Sequence, residues 1–362
     1  MVKVFDQAFS PSKKVTTIER IMSHKRKIEH RKNLKLESLL GHLNELLAQS
    51  EVNAVSQFRN PQYPVIFIVG CARSGSTLLF QWISDLGLFA YPSNLMSRFY
   101  RAPYIGALIQ QLLTDPEYAF REELIEFQLS EINYASDLGK TRGALSPNSF
   151  LYFWREYFKF GEIQKLGPEA IDSVNSAALS SELAAIESVF GKPLAMKAMI
   201  MNWHIDYLNQ IFPNSLFLHI HRDPLMHAQS LLSARQAFYG SIEPWYSYKP
   251  PEYTHLKGLS PYWQVAGQVF FTNEAISDQL LMLNPDHYLT IEYESLCSNP
   301  QSVFIDILKK LDKLGFSSDL HYTGPNSFAK SDNLTLSNQE KVNILEAYDQ
   351  FTHPGKKLGT YG

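Results

Sequence analysis

Apolar residues recur along this chain in two periods, and the alternation between those periods predicts an α/β fold. From Leu34, the leucines Leu36, Leu39, Leu40, Leu43, Leu46 and Leu47 keep helical spacing, so the opening section should hold an amphipathic helix. Val65 to Val69 is then an unbroken apolar run rich in β-branched residues, as expected of a parallel strand buried on both faces. Helical spacing resumes at once, with Leu78, Leu79, Trp82, Ile83 and Leu86 on one face. The same change of period follows Ser215–Ile220, where Leu225, Gln229 and Leu232 continue a helical face. It follows Tyr288–Ile291 as well, before an amphipathic helix from about Gln301 to Leu314. The pattern predicts a three-layer α/β/α domain around a central parallel sheet. A last helix is expected after Ser337, through Val342, Ile344, Leu345 and Tyr348.

Residues 1–60 form a distinct N-terminal helical arm, and residues 61–362 form the main domain. The arm is basic at Lys25-Arg26-Lys27 and Arg31-Lys32, but Glu19, Glu29, Glu37 and Glu45 interrupt the run. That mixture suits packing on the domain or on a second copy, making a homo-oligomer, better than a nucleic-acid or membrane surface. With 362 residues and 45% hydrophobic content, the chain can bury a large core. Its net charge of −3 gives no global field for nucleic acid, and Cys71 and Cys297 are too few for a disulfide framework. Cys71 reads as a small packing residue. No stretch reaches the length of a membrane span and the N-terminus has no apolar signal core, so a cytoplasmic location is expected.

The candidate chemistry begins where the first strand ends. Gly70-Cys71-Ala72-Arg73-Ser74-Gly75-Ser76-Thr77 joins a strand to a helix through a P-loop-like glycine turn. Free N–H groups and the positive dipole end meet there, as an anion requires. The spacing Gly70-x4-Gly75-x-Thr77 is that of the nucleotide-triphosphate loop, except that Ser76 stands in place of its lysine. That change argues against ATP or GTP hydrolysis. The cation lies three residues earlier, at Arg73, which suits a nucleotide carrying one phosphate and a transferable group.

This loop, with Leu78 and Leu79 after it, resembles the 5′-phosphosulfate loop of sulfotransferases that use 3′-phosphoadenosine 5′-phosphosulfate, with Ala72 in place of the usual proline. The second strand ends in His221-Arg222-Asp223-Pro224, where Asp223 is a helix N-cap and Pro224 the first helical residue. Ser230 follows Arg222 by eight residues, the spacing of the family's 3′-phosphate site, and a dianionic phosphate suits a guanidinium fork with a hydroxyl donor. Tyr293, in Ile291-Glu292-Tyr293-Glu294-Ser295-Leu296, is similar to the tyrosine of the family's Y-E-D-L element, which lies near the adenine.

The resemblance implies a sulfotransferase that moves a sulfuryl group by in-line displacement to a hydroxyl. Arg73, Ser74, Gly75, Ser76, Thr77, Leu78, Arg222, Ser230, Tyr293 and Lys330 would hold the donor, and no metal would be needed. Arg73 would also receive charge on the leaving phosphate. The family's base is a histidine or glutamate. Its cytosolic type carries the histidine two residues after a lysine whose approximate place Lys197 holds, but Met199 stands at that position. His204 is the expected base, with Glu126 and Glu131 as carboxylate alternatives, and His219 reads as a core histidine. Aromatic stretches around Tyr91–Tyr104 and Phe238–Trp263 suggest an apolar, aromatic or sugar acceptor, and the second of them reads as a binding lid, whereas Phe150–Phe158 reads as helix packing. Two other readings remain: a P-loop nucleotide or sugar kinase, which should carry the Walker lysine and a magnesium aspartate, and an inactive nucleotide-binding scaffold.

Overall fold

Alternate side chains of a strand point to opposite faces, and all five residues of β1 (Val65–Val69) are buried. The computed structural model describes residues 26–121, 123–128, 132, 134–331 and 333–353. It places β1 inside a four-stranded parallel sheet, in the order β4-β1-β5-β6. The other strands of this sheet are β4 (Ala195–Lys197), β5 (Ser215–His221) and β6 (Tyr288–Glu292). A separate antiparallel hairpin pairs β2 (Ser136–Asp137) with β3 (Lys140–Thr141).

The helices of ten or more residues, numbered in chain order, are α1 (Leu34–Val55), α2 (Ser76–Asp85), α3 (Pro103–Thr114) and α4 (Ser176–Phe190), then α5 (Pro224–Tyr239), α6 (Pro261–Leu281), α7 (Pro300–Lys313) and α8 (Asn338–Thr352). One sheet face, with Phe67 and Val69, packs on Leu179, Leu183 and Ile186 of α4 and on Trp154. The opposite face, with Ile66 and Ile68, packs on Leu79, Trp82 and Ile83 of α2 and on Phe304, Ile307 and Leu311 of α7. The three layers follow directly from the period-2 alternation of a doubly buried strand.

The chain leaves β1 with β4 on one side and β5 on the other, so the strand order reverses at β1. Crevices at such reversals open at the carboxyl ends of the strands. In-register pairing of Val69 with His219 brings the loop after β1 and the residue after β5 to the same edge.

The arm packs differently from its leucine pattern. Leu40, Asn44, Glu51 and Val55 are the buried residues of α1, while Leu34, Leu39 and Leu46 are exposed. The reason is polar. Glu51 accepts from the Tyr104 and Ile105 amides at 2.5 and 3.1 Å, in the first turn of α3, where Ala102 at the N-cap offers no side-chain oxygen. Asn44 donates to the Arg98 carbonyl at 2.8 Å and accepts from the Arg101 amide at 2.8 Å. A helix that must satisfy another helix's free amides buries carboxylate and amide groups in place of leucines. Among the described residues, no helix is long and apolar enough to cross a membrane.

Candidate active site

Two glycines shape the loop. Gly75, the N-cap of α2, has φ +97°, and a Cβ there would run into the ring of Tyr293, so only glycine allows this conformation and this approach. Gly70 is clamped by Asn202, which accepts from its amide at 3.2 Å and donates to its carbonyl at 2.9 Å. Arg73 sits at φ +74°, left-handed without being glycine, a conformation that costs about 1 kcal/mol or more. From there its Nε donates to Ser230 Oγ at 3.3 Å. His227 of α5 supports the loop from beneath, with Nε2 2.7 Å from the Ala72 carbonyl. Burial lowers the His227 pKa to about 4, so the ring is neutral and Nε2–H can donate. Cys71 is buried and its thiol is pushed up to about 12, which makes it a packing residue.

A cavity of about 380 Å³ opens over this loop. Of the residues expected from sequence, Arg73, Gly75, Ser76, Thr77, Leu78, Arg222, Ser230 and Tyr293 line it. Ser74 lies under the loop, fully buried. Arg222 is buried, donates through Nη2 to the Ser331 carbonyl, and stacks 4.6 Å from the Tyr293 ring centroid. The Tyr293 hydroxyl accepts from the Ser331 amide at 3.3 Å, so the three segments meet at one point. Lys330 is exposed and does not line the cavity, whereas its neighbour Ser331 does.

His204 is not brought to this cavity. Its Nε2 accepts from the Leu166 amide at 2.9 Å, and burial lowers its pKa, both marks of a neutral histidine that tethers a loop. It is Asn202, two residues earlier, that touches the glycine loop, at Gly70. Glu126 is exposed in a short helix outside the cavity, and Glu131 lies outside the described residues. Among the described lining residues none is aspartate, glutamate or histidine. His219, as expected, is a core residue, with burial lowering its pKa to about 4.

Lys197 carries more of the site than its sequence signal suggested. At the carboxyl end of β4 its Nζ donates to Thr77 Oγ1 at 2.8 Å. Burial, aided by the nearby Arg73 charge, lowers its pKa to about 7. One half of the roof was missed: the β2–β3 hairpin contributes Ser136, Leu138 and Lys140. The other half, Tyr246 and Tyr248, comes from the second aromatic stretch, singled out in the sequence. The Tyr246 hydroxyl donates to the Leu138 carbonyl at 3.3 Å and joins the two. Phe150, Phe153, Trp154 and Phe158, by contrast, are buried in the core.

The donor set fits a doubly phosphorylated nucleotide. Four cationic side chains (Arg73, Lys140, Lys197 and Arg222), several hydroxyls and a helix N-terminus face one cavity. Arg222 Nε and Ser74 Oγ are buried with no hydrogen-bond partner among the described residues, although the Glu294 carboxylate forms an ion pair with that Nε at 3.9 Å. A buried guanidinium N–H that makes no hydrogen bond is a ready donor for a phosphate oxygen.

A profile of the sulfotransferase family matches residues 64–313. The chain belongs to that family. No curated protein sequence matches it. Among solved structures, sulfotransferase STF9 from Mycobacterium avium is similar at 12% identity and a TM-score of 0.46, over 86% of this chain and 74% of that one. Sulfotransferase STF1 from Mycobacterium tuberculosis H37Rv is similar at 14% identity and 0.46, over 84% and 78%. The sulfotransferase domain of the Synechococcus PCC 7002 olefin synthase is similar at 18% identity and 0.39, over 82% and 97%.

Proposed function

We propose that this sulfotransferase takes its sulfuryl group from 3′-phosphoadenosine 5′-phosphosulfate and delivers it to a hydroxyl. One observation carries the reading: a phosphate loop without the Walker lysine shares its cavity with Arg222 and Ser230. The loop amides and Thr77 would hold the 5′-phosphate. Arg222, Ser230 and the Ser331 segment would hold the 3′-phosphate, and Tyr293 would flank the adenine.

Bound donor supplies an activated sulfur centre. The acceptor oxygen forms a bond to sulfur while the bridging sulfur–oxygen bond breaks, and its electron pair stays on the 5′-phosphate. Arg73 and protonated Lys197, near Thr77, would stabilise that growing charge. In a loose transfer the acceptor proton departs late, so the demand on a base is small. With His204 turned to the Leu166 amide, no base is assigned among the described residues.

Calorimetry with 3′-phosphoadenosine 5′-phosphate and with ATP tests the nucleotide, since ATP has no 3′-phosphate for Arg222. Tight binding of the first and weak binding of the second is expected, and equal affinities would sink the proposal. Labelled phosphosulfate turned over in the presence of hydroxylated acceptors distinguishes an enzyme from an inactive scaffold.

A further inference from the structure

A second cavity, of about 740 Å³, adjoins the first and shares Gly139, Lys140 and Ser149 with it. Its other lining comes from the Asn94–Arg98 segment and the turn after β3. Two cations face it, Arg98 and Lys140, and among the described lining residues none is acidic. Neither cation is ion-paired among the described residues, although Arg101 close by is paired with Glu156 at 3.1 Å. Asp137, opposite Lys140 in the hairpin register, forms no ion pair with it among the described residues. The amides there are already engaged: Asn94 Nδ2 donates to Thr141 Oγ1 at 3.0 Å and to the Gly143 carbonyl at 2.9 Å, and Asn148 Nδ2 donates to Asn94 Oδ1 at 2.7 Å. Those bonds fix the floor, and the polar side chains left to meet a ligand are the two cations and the Ser149 hydroxyl.

The wall that carries Arg98 is held from behind. Asn44 of α1 is buried and bonds the Arg98 carbonyl and the Arg101 amide, so the arm fixes the backbone on both sides of that turn. A cation on a fixed backbone loses less freedom on binding than one on a mobile loop. The arm is therefore part of this cavity's construction.

We propose that this second cavity is the acceptor site, and that it takes a hydroxylated acceptor bearing a negative group, a carboxylate or phosphate, seated between Arg98 and Lys140. The inference rests on the sulfotransferase reading of the adjoining cleft. The shared boundary at Lys140 and Ser149 gives the acceptor hydroxyl its way toward the loop. An apolar or aromatic acceptor, expected from the aromatic stretches, would make no use of either cation, both of which reach solvent.

Two commercially simple probes isolate the charge: p-nitrophenyl β-D-glucuronide and p-nitrophenyl β-D-glucoside, which differ at one carboxylate. Calorimetric titration into protein saturated with 3′-phosphoadenosine 5′-phosphate should show the glucuronide binding about tenfold more tightly or better, the scale of a charge-assisted hydrogen bond. Arg98→Gln should lower the preference several-fold without altering nucleotide affinity, Lys140 holding the remainder, and Arg98→Lys should retain more of it than Arg98→Gln does. Equal binding of the two glycosides, no binding of the glucuronide, or a preference unchanged in Arg98→Gln overturns the proposal. If the nucleotide itself fails to bind, the reading of the first cleft fails. The same titration on nucleotide-free protein then still decides the second cavity.

Discussion

The Nζ of Lys197 donates to Thr77 Oγ1 across 2.8 Å, joining the edge strand β4 to the first turn of α2. The two residues are 120 positions apart. The contact sets a buried ammonium beside Arg73, and burial with that neighbouring charge brings its pKa down to about 7. A lysine at this balance responds to any anion placed on the loop.

Nucleotide binding should therefore take up a proton above neutrality. In the free protein Lys197 is largely neutral at about pH 8, and a bound phosphate raises its pKa and charges it. Affinity should be flat below about pH 7 and fall up to about tenfold per pH unit above it. Titrations in buffers of different ionisation enthalpy measure the uptake directly. Lys197→Met should abolish it; proton uptake that persists in that variant would reassign the titrating group.

Arg73→Ala should lower turnover more than nucleotide affinity. Charge on the 5′-phosphate grows as the sulfur–oxygen bond breaks, while the loop amides, held by Asn202 and His227, still bind the ground state. A loss of about a hundredfold or more in the single-turnover rate is the scale for one such donor. Lysine should restore part of it. A collapse of affinity with an unchanged chemical step would make Arg73 only an anchor.

Arg222→Ala should weaken binding of 3′-phosphoadenosine 5′-phosphate by about 2–5 kcal/mol, the cost of losing one partner of a buried charge pair. Ser230→Ala should cost about 1 kcal/mol, and Lys330→Ala, exposed and outside the cavity, should change little. Adenosine 5′-phosphate, without the 3′ group, should bind the Arg222 variant and the parent alike. Isotherms of the four proteins decide whether this end of the cavity reads the 3′-phosphate.

Gly75→Ala and Gly87→Ala separate backbone strain from collision. Both glycines have positive φ, but open space surrounds Gly87, whereas Tyr293 blocks a Cβ at Gly75. Gly87→Ala should cost about 1 kcal/mol of stability, and Gly75→Ala about 3 kcal/mol or more together with nucleotide binding. Urea unfolding of the two variants side by side is the check. Equal losses would mean that Tyr293 yields easily.

Glu182→Gln should stabilise the protein at alkaline pH. Burial and the approach of Glu51 hold the Glu182 carboxyl well above the usual carboxylate range, so the folded state keeps a proton that the unfolded chain releases near pH 4.5. Its stabilising contribution is complete below that pH and declines as pH rises toward the folded value, by up to about 1.4 kcal/mol per unit. Glutamine has no proton to lose. Unfolding at about pH 5 and about pH 8 should show the variant's advantage growing with pH; a constant difference would assign the slope elsewhere.

The sequence by itself determined the three strand–helix units and the loop. A doubly buried strand must be apolar throughout, and the turn of that loop must carry glycine where φ is positive and a Cβ would also collide, as at Gly75, so both leave local marks. Arg222, Ser230 and Tyr293 were picked out by resemblance to the family's motifs, and all three line the cavity. Tertiary structure decided what faces those residues. Lys197 reaches Thr77 only because β4 pairs beside β1, and the roof forms only because Tyr246 meets Leu138 across 108 positions. His204 and Asn202 differ by two residues in sequence, yet one caps a loop amide and the other clamps Gly70. On α1 the leucine pattern indicated a helix but misread its packed face, because α3 needs acceptors for its first amides and Glu51 supplies them. Helical and strand periods are set by the backbone alone, whereas hydrogen-bond partners and cavity walls depend on which elements the sheet order brings together.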